Sequence, residues 1–185
     1  MKIFNAIFII FIFLTCGVKA DLNKNLIKEF QQGGKLIFIR HAYAPGSGDP
    51  NNFNLNDCST QRNLSNIGRK QAQYIGAFFR ENKIKIDKVL SSEWCRCKET
   101  AKIAFDDYST NSFLNSFYSS KYVKNKDKQI KELNNYIKKY ESNENLVFVT
   151  HYVLISEVLN YGPSSGEIVV SDKNFNMIGS IEINY

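Results

Sequence analysis

The chain is short of the residues that mark linkers, nucleic-acid readers and membrane spans. Proline occurs three times in 185 residues, as Pro45, Pro50 and Pro163. No Pro/Gly-rich linker or internal repeat divides the sequence, which excludes a string of domains. Arginine occurs five times, as Arg40, Arg62, Arg69, Arg80 and Arg96, with no Arg-aromatic cluster, so nucleic-acid binding is not expected. The apolar run from Ile3 to Leu14 is broken at Asn5 and falls well short of the roughly 20 residues that cross a bilayer. Histidine is scarce too: His41 and His151 are the only two.

With 43% hydrophobic, 14% aromatic and 23% charged residues, the composition excludes a disordered or collagenous chain and provides one substantial core. Lys2, the apolar run and the small-residue ending Val18-Lys19-Ala20 read as a secretory signal peptide over residues 1–20, cut after Ala20. An uncleaved anchor is one alternative. Lipoprotein processing before Cys16 is another, for which Phe13 and Thr15 are poor flanking residues. The expectation is export to a periplasm or the medium, with residues 21–185 as the mature domain and no stable membrane insertion after cleavage. Without Lys2 and Lys19, 22 basic residues face 18 acidic ones and the net charge falls from +6 to +4.

Short β-rich runs at Lys35–Arg40, Lys88–Leu90, Leu146–Thr150, Glu167–Ser171 and Met177–Ile183 alternate with segments of helical period at Leu22–Gln32, Ile67–Asn82, Cys95–Phe105, Asp127–Tyr140 and Val153–Leu159. Such alternation predicts an α/β fold, a three-layer α/β/α arrangement with a mostly parallel central sheet. Leu36-Ile37-Phe38-Ile39 and Leu146-Val147-Phe148-Val149 are apolar throughout, as central strands covered on both faces should be. Each run ends at a histidine. Ligands of open α/β sheets bind outside the carboxyl ends of the strands, so His41 and His151 can meet there. The strand ending at Leu90-Ser91-Ser92 leads towards a helix with Arg96 near its start. Arg40, His41, Arg96 and His151 would then form a compact positive pocket suited to a phosphoryl group.

These residues resemble the histidine phosphatase superfamily, branch 1, which includes the phosphoglycerate mutases and small phosphohistidine phosphatases. Arg40-His41-Ala42 is similar to its R-H-G signature. Leu64-Ser65-x-x-Gly68-x-x-Gln71-Ala72 resembles its L-[ST]-x-x-G-x-x-Q-A element, and Ser91-Ser92-x-x-x-Arg96-x-x-x-Thr100-Ala101 its S-x-x-x-R-A-x-x-T-A element. Val149-Thr150-His151 supplies the second histidine in the expected order; Ala42 and Cys97 replace the usual Gly and Ala. The resemblance implies a phosphoglycerate mutase-like fold and an exported phosphatase of phosphomonoesters, with phosphohistidine as another substrate class. His41 would attack phosphorus and carry a phosphohistidine intermediate. Arg40, Arg96 and a protonated His151 would hold the phosphoryl oxygens. No metal or other cofactor is implied, and the partner is a small phosphorylated substrate. A catalytically inactive relative that binds phosphorylated ligands in the same pocket is the alternative, with a mutase a weaker third reading.

The family's general acid is often a Glu, and Asn115 stands at its position in Phe113-Leu114-Asn115-Ser116-Phe117. An amide cannot protonate a leaving alkoxide. Tyr152 replaces the Asp that other members carry after the second histidine, which leaves Asp49 and Asp57 in the loop after His41 as candidate acids and Glu167 as a weaker one. That loop, Ala44 through Asn63, has no assignable secondary structure and reads as a rim or lid of the pocket, with Arg62 as an extra phosphate contact or in a surface ion pair. Among the cysteines after residue 20, Cys97 stands where the family has a small buried Ala, and Cys95 could pair with Cys58. In the lysine-rich stretch Lys121 to Lys139, Ile130, Leu133, Ile137 and Tyr140 have helical spacing and predict a core-facing stripe; Tyr74, Phe78 and Phe79 read as core.

Overall fold

The computed structural model describes residues 24–183. The signal peptide expected at residues 1–20 lies outside the described residues. In chain order the elements are α1 (24–32), β1 (Leu36–Arg40), α2 (Asn66–Glu81), β2 (Ile86–Ser91), α3 (Cys95–Phe105), β3 (Ser109–Thr110), α4 (Lys126–Lys138), β4 (Asn145–Thr150), α5 (Tyr152–Leu159), β5 (Ile168–Ser171) and β6 (Met177–Ile181). Short 3-10 turns lie at Cys58–Thr60, Ser112–Leu114 and Val123–Asn125.

The six strands form one sheet in the order β3-β2-β4-β1-β5-β6. The pairs β3–β2, β2–β4 and β4–β1 are parallel, and β5 pairs antiparallel with both β1 and β6. Side-chain alternation along the strands divides the core in two. Ile37, Ile39, Val147 and Val149 face Leu26 and Phe30 of α1, Ile75 and Phe79 of α2, and Ala101 and Ala104 of α3. Leu36, Phe38, Leu146 and Phe148 face Leu133 and Ile137 of α4 and Leu154, Ile155 and Leu159 of α5. This is the expected three-layer α/β/α arrangement. All of β4 is buried, which explains why its sequence carries no polar alternation.

Leu133 and Ile137 are buried along α4, with Ile130 and Tyr140 half-buried against them, so the lysines lie on its outer side. One core assignment fails. Tyr74 is 51% exposed, whereas Phe79 is buried and Phe78 half-buried; the apolar face of α2 turns through Ile75 and Phe79, which leaves Tyr74 outside it. No helix of the described residues is long and apolar enough to cross a membrane.

Candidate active site

Strand pairing brings the two histidines together across 110 positions of sequence. β1 and β4 run side by side with Arg40 opposite Thr150, so His41 and His151 leave the sheet at the same edge. The His41 amide donates to Thr150 O at 2.9 Å, and the two rings lie with centroids 5.6 Å apart at 67°. From β2, on the other side of β4, the chain passes through Ser92 into α3, whose first turn carries Arg96. Arg40, His41, Asp49, Arg62, Arg96 and His151 all line one cavity of about 340 Å³. Phe53, Tyr118, Lys121, Tyr122 and Tyr152 add an aromatic and basic outer wall.

The family-like motifs explain how the loop after β1 is gripped. Ser65 caps α2 by accepting from Gly68 N at 3.1 Å, and its own amide donates to Tyr43 O at 3.2 Å. A Cβ on Gly68 would lie 2.0 Å from Tyr43 O, so only glycine lets α2 approach the segment after His41. Gln71 Oε1 accepts from Tyr43 N at 2.9 Å while its Nε2 donates to Ser165 O at 2.6 Å. Thr100 Oγ1 accepts from Ala42 N at 3.0 Å and donates to Arg96 O at 2.7 Å. Residues 42 and 43 are thereby fastened to two helices, and His41 with them.

Burial decides the protonation of both imidazoles. His41 is 2% exposed and His151 3%. Desolvation first, then the Arg96 charge, pushes each far below the ordinary histidine value, so both are neutral in this pocket. His41 Nδ1 lies 2.9 Å from Ala42 O. A carbonyl can only accept, so the proton sits on Nδ1 and the Nε2 lone pair is free. For His151, expected to be protonated when it holds a phosphoryl group, desolvation and then Arg96 lower the pKa in this pocket.

Arg96 is 3% exposed and grips Asp49 with two bonds, Nη1 to Oδ1 at 2.7 Å and Nη2 to Oδ2 at 3.3 Å. Asp49 also accepts from Trp94 Nε1 at 3.1 Å and from Arg62 N at 3.1 Å. Although partial burial opposes it, these bonds hold the Asp49 carboxyl below its usual range. Arg40 donates from Nη1 to Pro163 O at 2.9 Å and its guanidinium lies 5.4 Å from the Tyr152 ring centre. Arg40 Nε and Arg96 Nε are buried without a hydrogen-bond partner among the described residues. A buried donor left unpaired costs about 1–3 kcal/mol.

The other candidates are placed as follows. Arg62 lines the cavity, but its Nη1 donates to Ala44 O and its Nε to Gly48 O at 2.8 Å, so it also ties the loop together. Asp57 caps the first 3-10 turn, accepting from Ser59 N at 3.0 Å and Ser59 Oγ at 2.7 Å, and does not line the cavity. Glu167 is buried, with Tyr161 OH and Ser164 N as donors at 2.6 and 2.7 Å, and lies outside the cavity wall. Asn115 donates from Nδ2 to Glu93 Oε2 at 2.6 Å and accepts from Ser92 Oγ at 3.1 Å. Cys58 and Cys95 form a disulfide with Cα atoms 5.7 Å apart, and Cys97 is a buried free thiol. The loop over residues 44–63 is therefore a pinned rim: the disulfide, the Arg96–Asp49 pair, the Gln61 Oε1 bond from Cys95 N at 2.9 Å and the stacked Phe53–Trp94 rings all hold it to α3. Ser92, Trp94 and Tyr152 belong to the site although their roles were not read from the sequence. Ser92 had a signal as the serine of the S-x-x-x-R element and Tyr152 as the residue after the second histidine, whereas Trp94 had only its place two residues before Arg96.

The sheet order and helix layers define a phosphoglycerate mutase-like α/β fold. A phosphoglycerate mutase of Thermus thermophilus matches with a TM-score of 0.57 at 14% identity, over 81% of this chain and 99% of that one. The protein histidine phosphatase SixA complexed with tungstate matches with a TM-score of 0.55 at 15% identity, over 80% of this chain and 96% of that one. The sequence profile of the histidine phosphatase superfamily (branch 1) matches residues 36–113. The mitochondrial serine/threonine-protein phosphatase Pgam5 of Drosophila mojavensis is 33% identical over 88 residues, 48% of this chain and 27% of that protein. The chain thus spans about a quarter of the length of the curated relatives it matches.

Proposed function

We propose that the chain is a phosphatase that hydrolyses small phosphorylated molecules through a phosphohistidine on His41. The observation that carries this reading is a neutral imidazole with a free Nε2 lone pair, lining one cavity with two guanidinium groups whose buried Nε donors lack partners among the described residues. Nε2 attacks phosphorus in line, the bond to the leaving oxygen breaks, and Arg40 and Arg96 stabilise charge on the equatorial oxygens. Water then attacks the phosphorus and releases phosphate. His151 lies beside Arg96 and lines the same cavity. The relatives named as phosphatases and the family's known chemistry support hydrolysis over simple binding. A cavity of about 340 Å³ with an aromatic and basic outer wall supports a small phosphorylated substrate, a phosphomonoester or a phosphohistidine. We further propose export, supported by the signal-like residues 1–20 and by a disulfide of the kind that persists in oxidising compartments.

Asp49 is the residue that orients Arg96, since an ionised carboxylate cannot donate a proton. The second reading, a protein that binds phosphorylated ligands without turnover, is favoured by that same ionised Asp49 and by the amide at Asn115. Hydrolysis of para-nitrophenyl phosphate in the presence of a metal chelator, with a His41→Ala control, separates the two. Turnover that vanishes in the control is expected. Folded protein that binds phosphate but shows no turnover would favour the second reading.

A further inference from the structure

We propose that Ser92, Asn115 and Glu93 form a hydrogen-bonded chain that holds His151 in its Nε2–H tautomer and leaves Nδ1 as its reactive nitrogen. Asn115 is then a positioning residue rather than an acid that was lost.

The proton positions follow from the two ends of the chain. Glu93 Oε2, which can only accept, lies 2.6 Å from Asn115 Nδ2, and the Glu93 backbone N–H, which can only donate, lies 2.9 Å from Asn115 Oδ1. Together they fix which way the amide faces. Oδ1 therefore takes the Ser92 hydroxyl proton across 3.1 Å. A serine has one such proton, so Ser92 Oγ can only accept from its other neighbours, Trp94 N at 3.3 Å and His151 Nε2 at 2.8 Å. His151 must carry its hydrogen on Nε2. Arg96 Nη2, a donor with no accepting atom, faces Nδ1 at 3.5 Å, which agrees with a bare Nδ1. The Cys97 sulfur also lies 3.5 Å from Nε2, but its thiol, pushed up to about 12 by burial, stays protonated and points its hydrogen to Thr150 O at 3.6 Å.

The chain is held rigidly. Thr150 Oγ1 donates to Leu114 O at 2.6 Å and Gln129 Nε2 to Asn115 O at 2.9 Å, which ties the 3-10 turn before Asn115 to β4 and α4. The two histidines are thus locked in opposite tautomers, His41 with its proton on Nδ1 and His151 with its proton on Nε2. Resting on the phosphatase reading, this gives His151 a definite task in the second half-reaction. When water attacks the phosphorus, the P–Nε2 bond of His41 breaks, its electron pair returns to Nε2, and the proton of water passes to His151 Nδ1.

Histidine-selective nitrogen NMR of the full chain tests this without requiring activity, because there are only two histidines and the His41→Ala variant assigns the His151 signals. Near neutral pH, the wild-type chain should show His151 protonated at Nε2 and His41 at Nδ1. Ser92→Ala should turn His151 into a mixture of tautomers and lower kcat by roughly 10–100-fold with KM little changed, the range known for loss of the hydrogen-bond partner of a metal-bound imidazole. Asn115→Ala should loosen the tautomer in the same sense by a change nearer the surface, and Glu93→Gln, which keeps an accepting oxygen, should leave the wild-type pattern intact. A wild-type His151 protonated at Nδ1, or an unaltered tautomer in both Ser92→Ala and Asn115→Ala, would overturn the proposal. Loss of the phosphatase reading alone would appear as an inactive wild type with the expected spectra.

Discussion

Asp49 lies against Arg96 with both oxygens engaged, and its role separates two kinds of catalyst. A proton donor matters most to substrates with poor leaving groups, whereas a residue that aims a guanidinium matters equally to all. Asp49→Asn should therefore slow alkyl phosphate and aryl phosphate turnover by the same factor, with a raised KM for both. A selective loss on the alkyl ester would instead make Asp49 the acid. The histidines also give stability a pH dependence. Unfolded, each titrates near ~6.5, while in the folded chain burial and Arg96 keep both neutral to much lower pH. Below about pH 6.5 the unfolded chain binds more protons, so stability falls as pH falls towards the folded values. Calorimetry should find a lower Tm at about pH 5.5 than at about pH 7.5; an equal or higher Tm would contradict neutral burial of the pair. At this scale Arg40, His41, Arg96 and His151 were legible from strand ends and motif spacing, whereas Asp49 and Arg62 were only candidates among the residues of the loop after His41. The sequence could not reveal that Asp49 is paired or that Asn115 orients Ser92, because both depend on side chains 47 and 23 positions from their partners.

Among the elements, the rim formed by residues 44–63 bears most directly on the pocket. Its Cys58–Cys95 bridge closes a separation of 37 residues between the loop and the first turn of α3. Cys58→Ser should lower stability by about 2–4 kcal/mol, and should also raise KM, because the loop that brings Asp49 to Arg96 gains freedom. Denaturant unfolding and KM measured together check this, and an unchanged KM would mean that the ion pair and the Phe53–Trp94 stack suffice to hold the rim. The regular elements were legible because apolar runs and helical periods extend over many residues: α3 spans Cys95–Phe105 as expected, and the other expected helices and strands end within a few residues of the observed bounds. β3 was not legible, since two residues, Ser109–Thr110, carry no period. Nor was the order inside the rim, where Arg62 donates to the carbonyls of Ala44 and Gly48 and Gln61 to those of Asn54 and Leu55. Bonds from side chains to backbone across a loop leave no pattern in composition.

For the whole molecule, the strand order carries the chemistry. β4 enters last among the parallel central strands and inserts between β1 and β2, so three separate passes of the chain deliver Arg40-His41, Ser92 with Arg96, and His151 to one edge. The alternation of apolar and polar runs announced an α/β sheet, and the two histidines at strand ends announced which edge would be used. The neighbour relations themselves came from the insertion of β4, which no local signal encodes. The proposed function rests on covalent transfer to His41, and the direct measurement is to mix the protein with a phosphorylated substrate, quench under the alkaline conditions in which phosphohistidine survives, and locate the adduct by mass spectrometry. One phosphoryl group on His41, absent when para-nitrophenol is supplied in place of its phosphate ester, is the predicted result. Steady turnover with no adduct on His41, or an adduct on another residue, would contradict it.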